Sequence, residues 1–235
     1  MPLGLDDVHV WRFALDLSPA ETTLLGQTLA AEEIERASRF HHSVHRERFI
    51  VAHGGLRAIV SQYVNLQPSQ LRFLTNPYGK PSIKNNLNGD EIRFNLSHSQ
   101  NLALVAITRG RSVGVDVEHI RPDFAEERIA RRFFSPQEVE SLLSFPIEKR
   151  IDAFFACWTR KEAYIKAKGE GLSMPLDQFD VSLIPGEKEI KLSTRPDPAQ
   201  GLHWKIYELS PGPGFVGALA VNGLEVAISC WQWTG

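Results

Sequence analysis

The sequence predicts an α/β (α+β) protein made of two similar half-domains packed against each other, residues 1–110 and 111–235. Three observations predict it. One order of elements runs through the chain twice: a strand of alternating pattern, a serine-proline helix start, a long helical stretch, then strand-like segments. The helix starts match in chemistry. Ser18-Pro19-Ala20-Glu21 and Ser135-Pro136-Gln137-Glu138 each offer a serine N-cap, a proline at the first helical position and a glutamate placed to reach back. Local phrases match as well, RFNLSHSQNLALVAI in the first half with KIYELSPGPGFVGALAV in the second. The turn Arg109-Gly110-Arg111 divides the halves.

Taken in order, residues 8–15 alternate apolar and polar and read as a strand. After the first capped helix, Phe49, Ala52, His53, Leu56, Ile59, Val60 and Tyr63 recur at helical spacing, and residues 70–75, 92–96 and 102–108 read as strands. The second half opens on VGVDVE at 113–118 and passes its own cap. It then runs a long helix over 151–168 and closes with strand-like segments at 179–183, 189–192, 204–209 and 217–221.

Composition narrows the function classes. A chain of 235 residues with 43% apolar residues can bury a sizeable core. Its formal charge of -2 gives no global attraction to nucleic acid or to acidic membranes, so any anion site is local. Cys157 and Cys230 lie too far apart in sequence to suggest a disulfide framework or a metal knuckle, and both are expected as small buried apolar residues. The opening MPLGLDDVHVWRF lacks the basic run and apolar core of a signal peptide, and no stretch approaches the roughly 20 apolar residues of a membrane span. The expectation is a cytoplasmic protein with neither nucleic-acid nor membrane partners.

The strand VGVDVE carries the first chemical signal. Val113, Val115 and Val117 face one side, and Asp116 and Glu118 share the other, about 7 Å apart at about 3.3 Å per residue. A solvated outer face is the plain alternative. The long helix IDAFFACWTRKEAYIKAKGEG decides between them. At about 100° per residue, Ile151, Phe154, Phe155, Trp158 and Ile165 form an apolar stripe; Glu162 falls inside it and Lys166 at its edge. A carboxylate in a packing face must be paired or metal-bound, because burying a bare charge is expensive. Asp116, Glu118 and Glu162 together make an all-oxygen set of the kind magnesium takes, completed by waters and substrate phosphates. Zinc would want histidine or cysteine at ligand spacing, absent there.

A metal held by carboxylates implies a phosphorylated substrate, so basic residues should converge on it. Arg36, Arg39, Arg46 and Arg48 stand in ERASRFHHSVHRERF, Gly79-Lys80-Pro81 is a tight turn presenting a lysine, and Asn95-Leu96-Ser97-His98-Ser99 ends a strand with hydroxyls and an imidazole. His41, His42, His45 and His53 show no ligand-like pattern and are read as structural or exposed. A Ser-His-Asp hydrolase fits poorly, since Ser97 and His98 are adjacent and no nucleophile elbow exists. No P-loop or dinucleotide glycine pattern occurs either.

In series these stretches resemble the Sfp-type 4′-phosphopantetheinyl transferases, in particular bacterial, cyanobacterial-type, broad-range members. The residues that carry the resemblance are Arg39-Phe40 with Arg48, Gly79-Lys80-Pro81, Phe94 to Ser99, Gly114-Val115-Asp116-Val117-Glu118, Phe133-Phe134-Ser135-Pro136-Gln137-Glu138, and Trp158 through Lys161-Glu162 to Lys166. They span roughly residues 35 to 175. The resemblance implies a pseudo-twofold monomer with coenzyme A in the cleft between the halves. It also implies transfer of the phosphopantetheine arm to a serine of an apo acyl or peptidyl carrier protein, serving fatty acid, polyketide or nonribosomal peptide synthesis.

Carried over residue by residue, it makes Asp116, Glu118 and Glu162 the magnesium ligands. Arg48, Gly79, Lys80, Pro81, Ser97 and His98, joined by Arg36, hold the adenosine phosphates, with Asp116 also in the coenzyme A site. Lys166 contacts the pyrophosphate. Some relatives have a lysine where this chain has Glu33, which shifts weight onto Arg36 and Arg48. Glu162 is then the base for the carrier serine and Lys166 the stabiliser of the leaving group, and the carrier docks near Phe133 and Phe134. Two rivals are a magnesium nuclease, which would want a basic surplus the chain lacks, and a non-catalytic binder of coenzyme A or carrier proteins, against which the intact acid set argues.

Overall fold

Alternation along each strand sorts side chains into separate layers. The computed structural model describes residues 1–84, 91–123, 127–187, 189–223 and 225–235. In the first half, β1 (Asp7–Ala14) is followed by α1 (Pro19–Gly26), α2 (Ala31–Ser38), α3 (Ser43–Val64), the short pair β2 (Phe73–Thr75) and β3 (Pro81–Ile83), then β4 (Ile92–Ser99) and β5 (Leu102–Arg109). In the second, β6 (Val113–His119) is followed by α4 (Glu127–Phe133), α5 (Pro136–Ser144), α6 (Arg150–Lys168), the short pair β7 (Phe179–Val181) and β8 (Leu192–Thr194), α7 (Ala199–Leu202), then β9 (Trp204–Leu209) and β10 (Phe215–Asn222). The two halves share one antiparallel connection: first strand beside last, last beside next-to-last, giving β1-β5-β4 and β6-β10-β9. Both expected helix starts are formed capping boxes, at Ser18 with Glu21 and at Ser135 with Glu138.

The final strand departs from the expected division at residue 110. β11 (Ala227–Gln232) crosses back and pairs in parallel with β1, so the first sheet runs β11-β1-β5-β4. Two further expectations shift. The stretch at 189–192 yields its strand at β8, and Cys230, expected buried, is exposed on β11, whereas Cys157 is buried.

Three apolar clusters define the layers. Phe13, Val105 and Ile107 pack with Val51, Leu56 and Ile59 of α3. Val8, Val10, Leu104 and Ala106 pack across to Val113, Val115, Val117 and Leu219, joining the two sheets face to face. Ala218 and Ala220 turn the other way, onto Phe154, Ala163 and Ala167 of α6. The order is therefore α3, first sheet, second sheet, α6. With the valines of β6 turned to the first sheet, Gly114, Asp116 and Glu118 must face α6.

Where β4 meets β6 the seam is polar and regular. Asn95 Oδ1 accepts from Val115 N at 2.8 Å, Ser97 Oγ from Val117 N at 3.3 Å and Ser99 Oγ from His119 N at 3.2 Å. Alternate side chains of one edge strand thus stand in for a missing backbone partner of the other. On its far face β6 lies against α6 so closely that a Cβ on Gly114 would meet Ala163 O at 2.2 Å and Ala167 N at 2.3 Å. Both are backbone atoms, which cannot swing aside. Gly114→Ala should cost about 1–3 kcal/mol of stability by overpacking, read from urea unfolding. An unchanged midpoint would mean that strand and helix are not held so tightly.

Candidate active site

Along α6, Phe155, Trp158, Glu162 and Lys166 succeed one another on the side that runs from the core to the seam. Phe155 is fully buried, Trp158 is half-buried, and Glu162 and Lys166 are half-buried at the open end. Lys166 Nζ donates to Asp116 Oδ1 at 2.5 Å and to Ser97 Oγ at 3.0 Å. Ser97 Oγ in turn donates to the same Asp116 Oδ1 at 2.8 Å, and Ser99 Oγ donates to Glu118 Oε2 at 2.7 Å. The helix and both edge strands therefore bring Asp116, Glu118, Glu162 and Lys166 to one place, as their spacing predicts.

Their electrostatics are unbalanced. Burial first, then the charge of Asp116 and the smaller effect of Glu118, push the Glu162 carboxyl up to about 7 against the pull of Lys166. Burial and Asp116 likewise raise Glu118, opposed by the Ser99 hydroxyl, Lys166 and Arg121. Burial works against the charge on Lys166, yet Asp116, Glu162 and Glu118 outweigh it and hold this ammonium above its ordinary value. Asp116 Oδ2 is buried with no hydrogen-bond partner among the described residues. One ammonium thus faces three carboxyl groups, and one buried oxygen is left over. Among the described residues no three His, Cys, Asp or Glu side chains form a closed metal site. Instead, Lys166 and the hydroxyls of Ser97 and Ser99 occupy Asp116 Oδ1 and Glu118 Oε2. The donor set is hard oxygen with an unmet demand for positive charge, and that fits a divalent cation such as magnesium.

The basic residues divide. His98 follows Ser97 on β4 and so points to the opposite face of the strand. Its side chain reaches solvent, and surrounding protein and then His53, Lys166 and Arg36 push its pKa down to about 4. Arg48 is instead bidentate to Asp16, at 2.7 and 3.0 Å. Ser97, expected on the phosphates, has its hydroxyl fully committed to Asp116, Val117 N and Lys166. Lys80 is committed too. Its ammonium donates to Val113 O at 3.0 Å and Ala167 O at 2.9 Å, tying the first half to β6 and to the last turn of α6. Burial, helped by Arg93, lowers that lysine to about 8. Val113 lies three residues before Asp116, about 10 Å along the strand at 3.3 Å each, so the Gly79-Lys80-Pro81 turn stands apart from the acids. Gly79 has φ +88°, and the turn is closed by Asn76 Oδ1, which accepts from Lys80 N at 2.8 Å.

Other expectations move. Phe134 is core, 3% exposed, whereas Phe133 is half-buried with Trp158 edge-on at 5.5 Å, beside an apolar hollow of about 510 Å³. Glu33 does not leave a gap in the basic set; it accepts from Arg57 Nε at 2.8 Å and bonds His53 Nδ1 at 3.1 Å. His53 had no periodic or motif signal beyond its place in a helix.

The profile of the 4'-phosphopantetheinyl transferase superfamily matches residues 112–220, and that described as 4'-phosphopantetheinyl transferase, N-terminal, matches residues 16–109. The chain is 40% identical to 4'-phosphopantetheinyl transferase HetI of Nostoc sp., over 97% of this chain and 93% of that protein. It is 34% identical to 4'-phosphopantetheinyl transferase Sfp of Bacillus subtilis, over 83% of this chain and 84% of that one. A putative 4'-phosphopantetheinyl transferase of Synechocystis sp. is 34% identical over 76% of this chain and 70% of its own length.

Proposed function

This chain belongs to the 4′-phosphopantetheinyl transferase superfamily and is an enzyme that transfers phosphopantetheine to carrier proteins, and we propose that it takes the arm from coenzyme A with magnesium as cofactor. The observation that carries the finer reading is the acid cluster at the seam, with Asp116 Oδ2 buried and unpartnered. Asp116, Glu118 and Glu162 would hold magnesium, whose chemistry there is to neutralise negative charge on the pyrophosphate. Lys166, at the end of α6, offers a fixed positive charge to the 3′,5′-ADP leaving group.

In the reaction the carrier serine oxygen forms a bond to the β-phosphorus, and the phosphoanhydride bond to 3′,5′-ADP breaks. Glu162, directly or through one water, accepts the serine proton on an oxygen not committed to the metal. Arg36 and His98 face the adenosine side. The Gly79-Lys80-Pro81 turn holds the halves in register, and Arg48 reaches a phosphate only by leaving Asp16. Since one chain supplies both walls, the active species is a monomer acting in the cytoplasm. Phe133, at its apolar hollow, is the docking element for an acyl or peptidyl carrier. No helix among the described residues is long and apolar enough to cross a membrane.

Intact-mass spectrometry of an apo acyl carrier protein incubated with the enzyme and coenzyme A tests this reading. A gain of one phosphopantetheine arm, abolished by chelator and restored by magnesium, is expected. Transfer that persists undiminished in chelator would overturn the metal assignment.

A further inference from the structure

Asn95, Ser97 and Ser99 form three like rungs from β4 to β6, each accepting a backbone N–H, from Val115, Val117 and His119 in turn. The rungs differ in what else they do. Asn95 Oδ1 ends on the backbone of Val115. Ser97 and Ser99 use one oxygen twice, accepting from the backbone and donating to a carboxylate: Asp116 Oδ1 at 2.8 Å and Glu118 Oε2 at 2.7 Å. A serine has one hydroxyl proton to give, so each is committed to one acid. The two acids are not held alike. Lys166 Nζ donates to Asp116 Oδ1 as well as to Ser97 Oγ, so Asp116 has a second fixed partner. Among the described residues Glu118 accepts a hydrogen bond from Ser99 alone.

Both bonds of Ser99 land on consecutive residues of β6, the backbone N–H of His119 and the carboxylate of Glu118. Two attachments to one strand fix where the hydroxyl sits, and with it where Glu118 Oε2 is held. A glutamate has one more rotatable bond than an aspartate and more rotamer freedom to lose on being fixed. Without the hydroxyl, Glu118 would turn among orientations that do not meet Asp116 and Glu162. With it, Oε2 is anchored on the β4 side and the other oxygen is left for a cation. We propose that Ser99 is a positioning residue for the metal, its hydroxyl orienting Glu118 in advance as outer-shell partners orient ligating carboxylates. This rests on Asp116, Glu118 and Glu162 holding a divalent cation, and it gives the last rung of the seam a task that the first does not have.

Manganese, which takes the same oxygen ligands, is the probe. Electron paramagnetic resonance titration of the enzyme with coenzyme A and no carrier gives its Kd, and carrier modification gives the magnesium concentration for half-maximal rate. Ser99→Ala should raise both by about 10–100-fold. At saturating magnesium its kcat and its KM for coenzyme A should return close to wild type. Ser99→Thr keeps the hydroxyl and should bind manganese nearly as wild type does. Asn95→Ala removes a rung that touches no acid, and should lower the urea midpoint without raising the Kd. Wild-type manganese binding by Ser99→Ala overturns the proposal, as does a Ser99→Thr protein as weak as Ser99→Ala, or an equal rise in Kd for Ser99→Ala and Asn95→Ala. If wild type binds no manganese, or Glu118→Gln binds it unchanged, the metal assignment itself is overturned.

Discussion

Glu162→Gln is expected to lower carrier-protein turnover by about 10²–10⁴-fold at saturating magnesium and coenzyme A, the usual range for loss of a general base. The substitution keeps the shape of the side chain and removes only its charge and basicity. Stability should not fall with activity. Among the described residues Glu162 makes no hydrogen bond, and burial and Asp116 both disfavour its charged form. In chelator the variant should melt at or above the wild-type temperature. Near-normal turnover would remove Glu162 from the mechanism; a collapse in melting temperature would make it structural.

The same carboxyl sets a pH dependence whose sign is fixed. Its pKa rises from 4.5 to about 7 on folding, so between those values the folded state binds more protons than the unfolded one. Metal-free protein therefore loses stability from this group as pH climbs through that window, and the raised Glu118 acts in the same direction. On the proposed role of Glu162 as base, activity runs the other way, since the carboxyl must be deprotonated to accept the serine proton. A bound divalent cation favours the ionised carboxylates and shifts the rising limb of activity to lower pH.

Much of this was readable from local pattern. Alternation placed the acids of VGVDVE on one face, helical spacing put Glu162 and Lys166 on the same side as Trp158, and the two serine-proline caps marked equivalent helices. What stayed hidden is what periodicity does not encode: which distant group each polar side chain meets. Asn95, Ser97 and Ser99 read as the end of a strand offering its polar groups to phosphates, yet they ladder onto the backbone of β6 about 20 residues away. Lys80 read as a free cation, yet it caps carbonyls of the other half. Nothing in residues 227–232 announces a parallel partner at the opposite end of the chain. His53 acquires its orientation from Glu33 on the neighbouring helix α2, 3.1 Å away in space but 20 residues off in sequence.

Lys161→Met should destabilise the protein by about 3–5 kcal/mol, the cost of leaving a buried charge without its partner. Lys161 and Glu138 sit 2.8 Å apart with side chains 1% and 2% exposed. Lys161 Nζ also donates to Phe179 O at 2.6 Å and lies 4.1 Å from the centre of the Phe179 ring. Glu138 is tied in three directions, since its carboxylate also accepts from Ser135 N at 2.9 Å and Val181 N at 2.8 Å. This pair fastens the capped start of α5 and the strand β7 to α6, one residue from Glu162. Burial already pushes Glu138 up despite Lys161; without the lysine it should be driven to take a proton. The variant should then regain stability as pH falls, because the folded state binds the extra proton, and Glu138→Gln combined with Lys161→Met should recover part of the loss at neutral pH. Urea unfolding at pH 5.5 and 8 reads all three proteins. A Lys161→Met protein as stable as wild type at both values would show that the pair does not hold α6 in place, and Glu162 would owe its position to the apolar packing of α6.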